Sequence, residues 1–207
     1  MEQDGQLEEE AISKGRLETL IDGIFAISLT LLVLTLNVPS GHGATQVPVA
    51  STLIGLFPDF VHYFMAFLIL AAFWDGHHRQ FKLIRLIDRR MLWISVAFLM
   101  FVALIPFSTS LAGEYSDSPL AAIVFELNLI VIGFINYVQW TYASNGHRLI
   151  GSELSQERVG LFKKRSMVIP ALGCVGIVLA LAGSTWSTTV FLLAPLVLAL
   201  VGRRGSH

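Results

Sequence analysis

The sequence has little charge and a single cysteine. Of its 207 residues, 54% are hydrophobic and only 14% are charged, a balance that indicates a membrane protein because soluble domains carry far more charge. The net charge of -1 gives no basic footprint, so no nucleic-acid partner is expected. Cys174 alone cannot form an intrachain disulfide or a thiolate metal cluster, and its apolar surroundings predict a packed, inert thiol.

Long apolar runs are what the sequence has in place of charge. Six of them approach the length that crosses a hydrocarbon core, and they lie at residues 16–37, 52–74, 91–112, 119–142, 166–183 and 186–201. The last two are short, which leaves a pair of shallow helices or a re-entrant hairpin as the alternative. We therefore predict an all-α, polytopic membrane protein with six transmembrane helices.

The positive charges predict the orientation of these spans. All 14 Lys and Arg residues fall on one side, because the connections 38–51, 113–118 and 184–185 contain none. The positive-inside rule then places both termini in the cytoplasm. An odd number of crossings would break this pattern.

The segments outside the spans are too short for a soluble domain. We predict an acidic, cytoplasmic, solvated N-terminal tail at 1–15, one transmembrane domain at 16–202, and a C-terminal tail at 203–207 whose last three residues resemble a cloning remnant. The basic stretch 76–90 is interspersed with apolar residues, as in an interfacial helix or a cytoplasmic extension of the second and third spans.

Ionisable residues are rare within the predicted spans. Asp22 lies in the first, Asp59 and His62 near the outer start of the second, and Glu126 in the fourth. Such groups usually face protein or water. We expect Asp59 and Glu126 to be solvated near the outer interface, and His62 to be packed or at head-group level.

No combination of these residues resembles a catalytic or metal site. A nucleophile with a base and an orienting group is not recognisable, nor is a phosphate-binding glycine loop. His77 and His78 are adjacent and point to different helix faces, which does not suit a shared metal ion. The sequence thus predicts neither an enzyme nor a cofactor or metal site.

The first span carries an apolar stripe. On a helix that turns 100° per residue, Thr30, Leu31 and Leu34 lie within about 60° of Ile27, whereas Asp22 lies about 140° away. Periodicity alone leaves open whether this stripe meets lipid, other helices or a pore.

Two stretches resemble a known family, namely RLETLIDGIFAISLTLLVLTLNVP and FWDGHHRQFKLIRLIDRRMLWISVAFLMFVALIPFSTSLAGEY. They look like the prokaryotic branch of the lysosomal potassium channel family, the transmembrane protein 175 type. The family signature Arg-x-x-x-Phe-Ser-Asp is matched at Arg16 and Asp22, whereas Leu20 and Ile21 replace Phe and Ser. Ser95 stands where the family usually has Asn, a departure that affects the hydrogen bonds around His77.

The resemblance implies a function and an assembly. It predicts a potassium-permeable leak channel in the prokaryotic inner membrane, a homotetramer in the lipid bilayer whose first helices line a pore for monovalent cations. The narrowest family positions fall on Ile27, Leu31 and Leu34, with Thr30 as a hydroxyl ring. The alternatives are a proton-coupled secondary transporter that uses an intramembrane carboxylate and a structural membrane protein.

The charged inner end of the first span suggests a second role. We expect Asp22 to pair with Arg16 and with His77 or His78, beside Trp74, and to hold the pore helix in register. The alternative is an independent carboxylate that is solvated by the cytoplasm.

Overall fold

The computed structural model describes residues 2–37, 48–184 and 187–203. Its α-helices are α1 (Glu2–Leu31), α2 (Val49–Gly55), α3 (Phe57–Leu83), α4 (Arg89–Ala103), α5 (Ile105–Glu114), α6 (Pro119–Ser144), α7 (Gln156–Ser166), α8 (Val168–Leu181) and α9 (Ala194–Arg203). Short 3-10 turns occupy Leu32–Thr35, Asn145–His147 and Ser187–Leu193. Within these ranges, the only β-pairing is one antiparallel bridge between Ile84 and Ile150.

Among the described residues, five helical segments are long and apolar enough to cross a membrane. They are Lys14–Thr35, Phe57–Leu83, Arg89–Glu114, Pro119–His147 and Gln156–Leu181. The sixth predicted span is a shorter apolar stretch, Ser187–Val201, that begins as a 3-10 turn and continues as α9. The all-α membrane fold is thus confirmed, with the sixth helix the weakest.

Two of the long segments are interrupted next to a proline. The α-helix of the third span breaks at Leu104, two residues before Pro106, and that of the fifth at Met167, before Pro170. Proline has no backbone N–H and crowds the preceding turn, so each ring interrupts the helical hydrogen bonds without ending the span.

Several boundaries differ from the predicted ones. Helix α3 continues to Leu83, so the basic stretch begins as an extension of the second span rather than as a separate interfacial helix. The fifth span begins at Gln156, well before residue 166, and residues 2–15 belong to α1. Hydropathy detects the part of a helix that lies in lipid and misses its polar continuation.

Helix α6 is central to the packing, in contact with α4, α5, α7 and α8. Gly133 lets α8 approach, because a Cβ atom there would lie 2.4 Å from Cγ of Pro170. Trp140 is fully buried and donates its indole N–H to the carbonyl of Val159, 3.0 Å away. The predicted packing of Cys174 is wrong, since this residue is exposed on α8.

The inner ends of the helices are tied together by contacts between loops. The Arg85 backbone N–H donates to the carbonyl of Leu149 at 2.7 Å, and its side chain pairs with Glu153 at 2.6 Å. The Lys14 ammonium donates to the carbonyl of Ile84 at 2.6 Å. Asp88 caps α4 by accepting from the N–H of Met91. These contacts hold α1, α3, α4 and α6 in register near the candidate site.

Candidate functional site

Helix α1 has one face in the core and one face free. The buried face consists of residues three or four apart, all at most 3% exposed: Leu17, Ile21, Phe25, Ser28 and Leu32. The predicted stripe lies outside this face, with Ile27 59%, Leu31 42% and Leu34 70% exposed. Three large apolar side chains are therefore available to lipid, to other helices or to further copies of the chain.

Thr30 belongs to the same exposed surface. Its hydroxyl donates to the carbonyl of Ile27 at 2.8 Å, which leaves its oxygen lone pairs as acceptors. Beyond Leu31 the chain tightens into the 3-10 turn Leu32–Thr35, where three residues make a turn. The α-helical angle calculated for Leu34 consequently does not hold, although its side chain remains exposed.

The inner end of α1 meets α3 through Asp22. The indole N–H of Trp74 donates to Oδ1 of Asp22 at 2.9 Å, and the Trp74 ring stacks on His78 with centroids 5.6 Å apart and planes 16° from parallel. Within the described part of the chain, neither Arg16 nor a histidine donates to Asp22. Three of the five predicted residues, Asp22, Trp74 and His78, are thus in direct contact, with Trp74 as the donor.

A cavity of about 190 Å³ adjoins this contact. Its lining is acidic, basic and aromatic, and consists of Glu18, Ile21, Asp22, Trp74, His77, His78, Phe81 and Lys82. Arg16 is exposed and does not line this cavity. The ammonium group of Lys14, not Arg16, forms an ion pair with Glu18 at 3.7 Å.

His77 belongs to a different, buried network. It is 1% exposed, and its Nε2 lies 3.2 Å from Oε1 of Gln139, an atom that can only accept, so Nε2 is the donor. The Gln139 amide donates in turn to Ser95 Oγ at 2.7 Å, and Ser95 donates to the carbonyl of Met91 at 2.8 Å. This chain of bonds joins α3, α6 and α4, and the short Ser95 side chain is reached by the long one of Gln139.

Aromatic rings hold the His77 imidazole on both sides. Phe81 stacks at 4.3 Å and Phe98 at 4.7 Å between centroids. Phe98 also contacts Phe25 of α1 at 5.9 Å between centroids. The rings around His77 therefore pack against the buried face of the candidate pore helix.

Sequence reasoning missed Gln139 and its neighbours. Gly133, Asn136 and Gln139 recur every three residues in the fourth span, and polar or small residues at such spacing mark a helix face in contact with protein rather than lipid. That spacing could have predicted the buried network. Its residues are neutral, whereas the candidates within the spans were chosen among ionisable residues.

The outer carboxylates behave differently from one another. Asp59 is half-buried, whereas Glu126 is 0% exposed. The predicted solvation of Glu126 is therefore wrong. Within the described part of the chain its carboxylate oxygens make no close hydrogen bond, although the Ser187 hydroxyl is near enough to interact with them. Oε1 would lie 2.5 Å from a Cβ atom added at Gly176. The absent side chain at Gly176 makes room for the carboxyl group between α6 and α8.

His62 is half-buried, as predicted, and its Nε2 lies 3.3 Å from the Thr188 hydroxyl. No group of three His, Cys, Asp or Glu residues that could hold a metal ion occurs in the described ranges.

The fold and these sites together define a polytopic, α-helical membrane protein. Residues 16–106 match the sequence profile of the family described as the endosomal/lysosomal potassium channel TMEM175. The potassium channel Cha6605_3372 of Chamaesiphon minutus is 31% identical over 83% of this chain and 86% of that protein. The potassium channel B446_29190 of Streptomyces collinus is 31% identical over 91% of this chain and 87% of that protein.

A solved structure extends the comparison. The crystal structure of a lysosomal potassium-selective channel TMEM175 homolog from Chamaesiphon minutus superposes with a TM-score of 0.77 at 28% identity, covering 94% of this chain and 99% of that chain. The chain belongs to the TMEM175 family. It is a channel-family protein of the prokaryotic inner membrane that crosses the bilayer several times, and it is not an enzyme.

Proposed function

We propose that the protein is a potassium-permeable leak channel in which four copies of the chain surround a pore lined by α1. The observation that carries this proposal is the exposed stripe of α1, where Ile27 is 59% and Leu34 is 70% exposed while the opposite face packs in the core. The relatives named potassium channels support the permeant ion. No cofactor is required by this scheme.

The stripe suggests how such a pore would gate and select. A ring of Ile27 side chains around a symmetry axis forms an apolar constriction, which gates by losing its water and selects by the cost of removing ion hydration. Potassium sheds its water more readily than sodium. Since no ring of backbone carbonyls replaces the lost hydration shell, we expect modest selectivity. Four Thr30 oxygens, with their protons committed to the helix backbone, would partly replace that shell.

The proposal is tested by replacing the apolar barrier. Ile27→Asn should raise single-channel conductance and change the K⁺/Na⁺ permeability ratio, because an amide ring keeps the constriction hydrated. Both quantities are measured in planar bilayers. Val178→Asn is the matched control, since Val178 is 65% exposed on α8 and is not part of α1. Unchanged conductance and permeability ratio in Ile27→Asn would remove Ile27 as the barrier.

The buried carboxyl of Glu126 is the observation that favours the alternative, a proton-coupled secondary transporter. Proteoliposomes with a potassium gradient separate the two. Passive, non-saturating flux supports a channel, and saturable uptake driven by a proton gradient supports a transporter. Absence of either flux would favour a structural role.

A further inference from the structure

A second cavity lies away from α1, at the basic ends of the spans. It has a volume of about 70 Å³ and is bounded by α3, α6, the α7 to α8 bend and α9. A water molecule needs 10–15 Å³ by the same kind of measure, so roughly five heavy atoms fit, about the size of a phosphate group. Phe73, Ile169 and Leu198 contribute an apolar wall.

Two arginines line this cavity. Arg79 uses Nε to bind Asp75 at 2.9 Å, which leaves its terminal nitrogens available. Arg165 is half-buried and has no ion pair among the described residues. Two guanidinium groups against one carboxylate leave a net positive charge, and the guanidinium fork matches the oxygens of a phosphate.

The floor of the cavity is polar and neutral. The Ser166 hydroxyl accepts from Nε2 of Gln80 at 2.9 Å and from Nδ2 of Asn136 at 3.4 Å, and donates to the carbonyl of Phe162 at 3.0 Å. These three polar residues line the cavity and bind one another. The charges that a ligand would meet there therefore come from Arg79, Arg165 and Asp75.

We propose that this cavity binds the head group of an anionic phospholipid from the cytoplasmic leaflet. The phosphate lies between Arg79 and Arg165, and an acyl chain follows the apolar wall. Basic cavities between transmembrane helices on the cytoplasmic side are suited to such head groups. Phosphatidylglycerol has the required chemistry, with one phosphodiester charge and no positive group in the head group to offset it. The site does not depend on whether α1 lines the pore.

Native mass spectrometry of the purified channel with added phosphatidylglycerol tests the two arginines. Replacing both, as Arg79→Gln with Arg165→Gln, should weaken binding about tenfold or more, the effect of losing hydrogen bonds to a charged group. The matched control is Arg89→Gln with Arg90→Gln, which removes the same charge from two exposed residues at the start of α4. An equal loss in both double variants would mean nonspecific attraction and would overturn the proposal.

Two measurements on the unmodified chain test the lipid itself. Phosphatidylglycerol and phosphatidylmethanol, which carry the same single negative charge, should both bind several-fold more tightly than the zwitterionic phosphatidylcholine. Equal affinity for phosphatidylcholine would refute recognition of the anionic head group by the two arginines. Displacement of phosphatidylglycerol by millimolar inorganic phosphate would identify a site for the free anion and refute the lipid assignment.

Discussion

The hydrogen bond between Trp74 and Asp22 can be removed while an aromatic ring is kept at position 74. Trp74→Phe deletes the indole N–H that lies 2.9 Å from Oδ1 of Asp22. It keeps an aromatic ring that can stack on His78. In the unsubstituted chain, the planes of the Trp74 and His78 rings are 16° from parallel. The substitution therefore tests the bond that joins the candidate pore helix α1 to α3.

The size of the effect follows from exposure. Hydrogen bonds to charged groups contribute about 1.5–3 kcal/mol when buried. Trp74 is 38% exposed and Asp22 is exposed as well, so water competes and we expect about 1 kcal/mol. For a chain of this size that corresponds to a decrease in Tm of about 2–4 °C.

The assay is thermal unfolding of the purified channel in detergent, with Trp93→Phe as the control. Trp93 is 62% exposed and undergoes the same chemical change without a hydrogen bond to lose among the described contacts. A double-mutant cycle with Asp22→Ala isolates the pair, since two residues that interact lose less together than the sum of their separate losses.

Two results would refute this reasoning. If Trp74→Phe and Trp93→Phe lowered Tm equally, or if the losses in the cycle simply added, the bond would contribute nothing. The K⁺/Na⁺ permeability ratio should stay unchanged in Trp74→Phe, because Asp22 is proposed to position the helix. A changed ratio with intact assembly would put Asp22 in the ion path.

Two further predictions concern helix packing. Gly133→Ala should lower Tm, since its Cβ would lie 2.4 Å from the ring of Pro170 and overpacking of this kind costs about 1–3 kcal/mol. Gly160→Ala, with no atom within 4 Å, should raise Tm because alanine favours a helix by about 0.5–1 kcal/mol. In the same thermal assay, a decrease in both variants would contradict the prediction for Gly160, and an increase in both would contradict the prediction for Gly133. Gln139→Leu should lower Tm by leaving the Nε2 donor of His77 unpaired in the core, at about 1–3 kcal/mol, and an unchanged Tm would mean that the network adds nothing.

Periodicity placed Ile27 and Leu31 on one stripe of the first span but left open which face would pack. In the structure this stripe is exposed, whereas Phe25 and Leu32 on the other side are buried. The positions of the long spans were equally predictable, because a membrane requires a minimum apolar length. Both inferences use information contained within a single helix.

Contacts between helices were not predictable in the same way. The Trp74 donor lies 52 residues from Asp22, and Gln139 lies 62 residues from His77. Nothing in the local pattern of either partner specifies the other. Trp74 was expected beside Asp22, but the donors expected for the carboxylate were Arg16 and a histidine. Glu126 shows the same limit, because its burial depends on the missing side chain at Gly176 on another helix.

The single cysteine has a practical consequence for the assembly. Cys174 is exposed on α8, within the fifth candidate span, so a membrane-permeant, thiol-reactive spin label can be attached to each subunit without an engineered site. In a symmetric tetramer these labels occupy the corners of a square and give two distances, its side and its diagonal, whereas a dimer gives one. The distances between labels on Cys174 therefore report the number of subunits, and they do so through the one cysteine of the sequence.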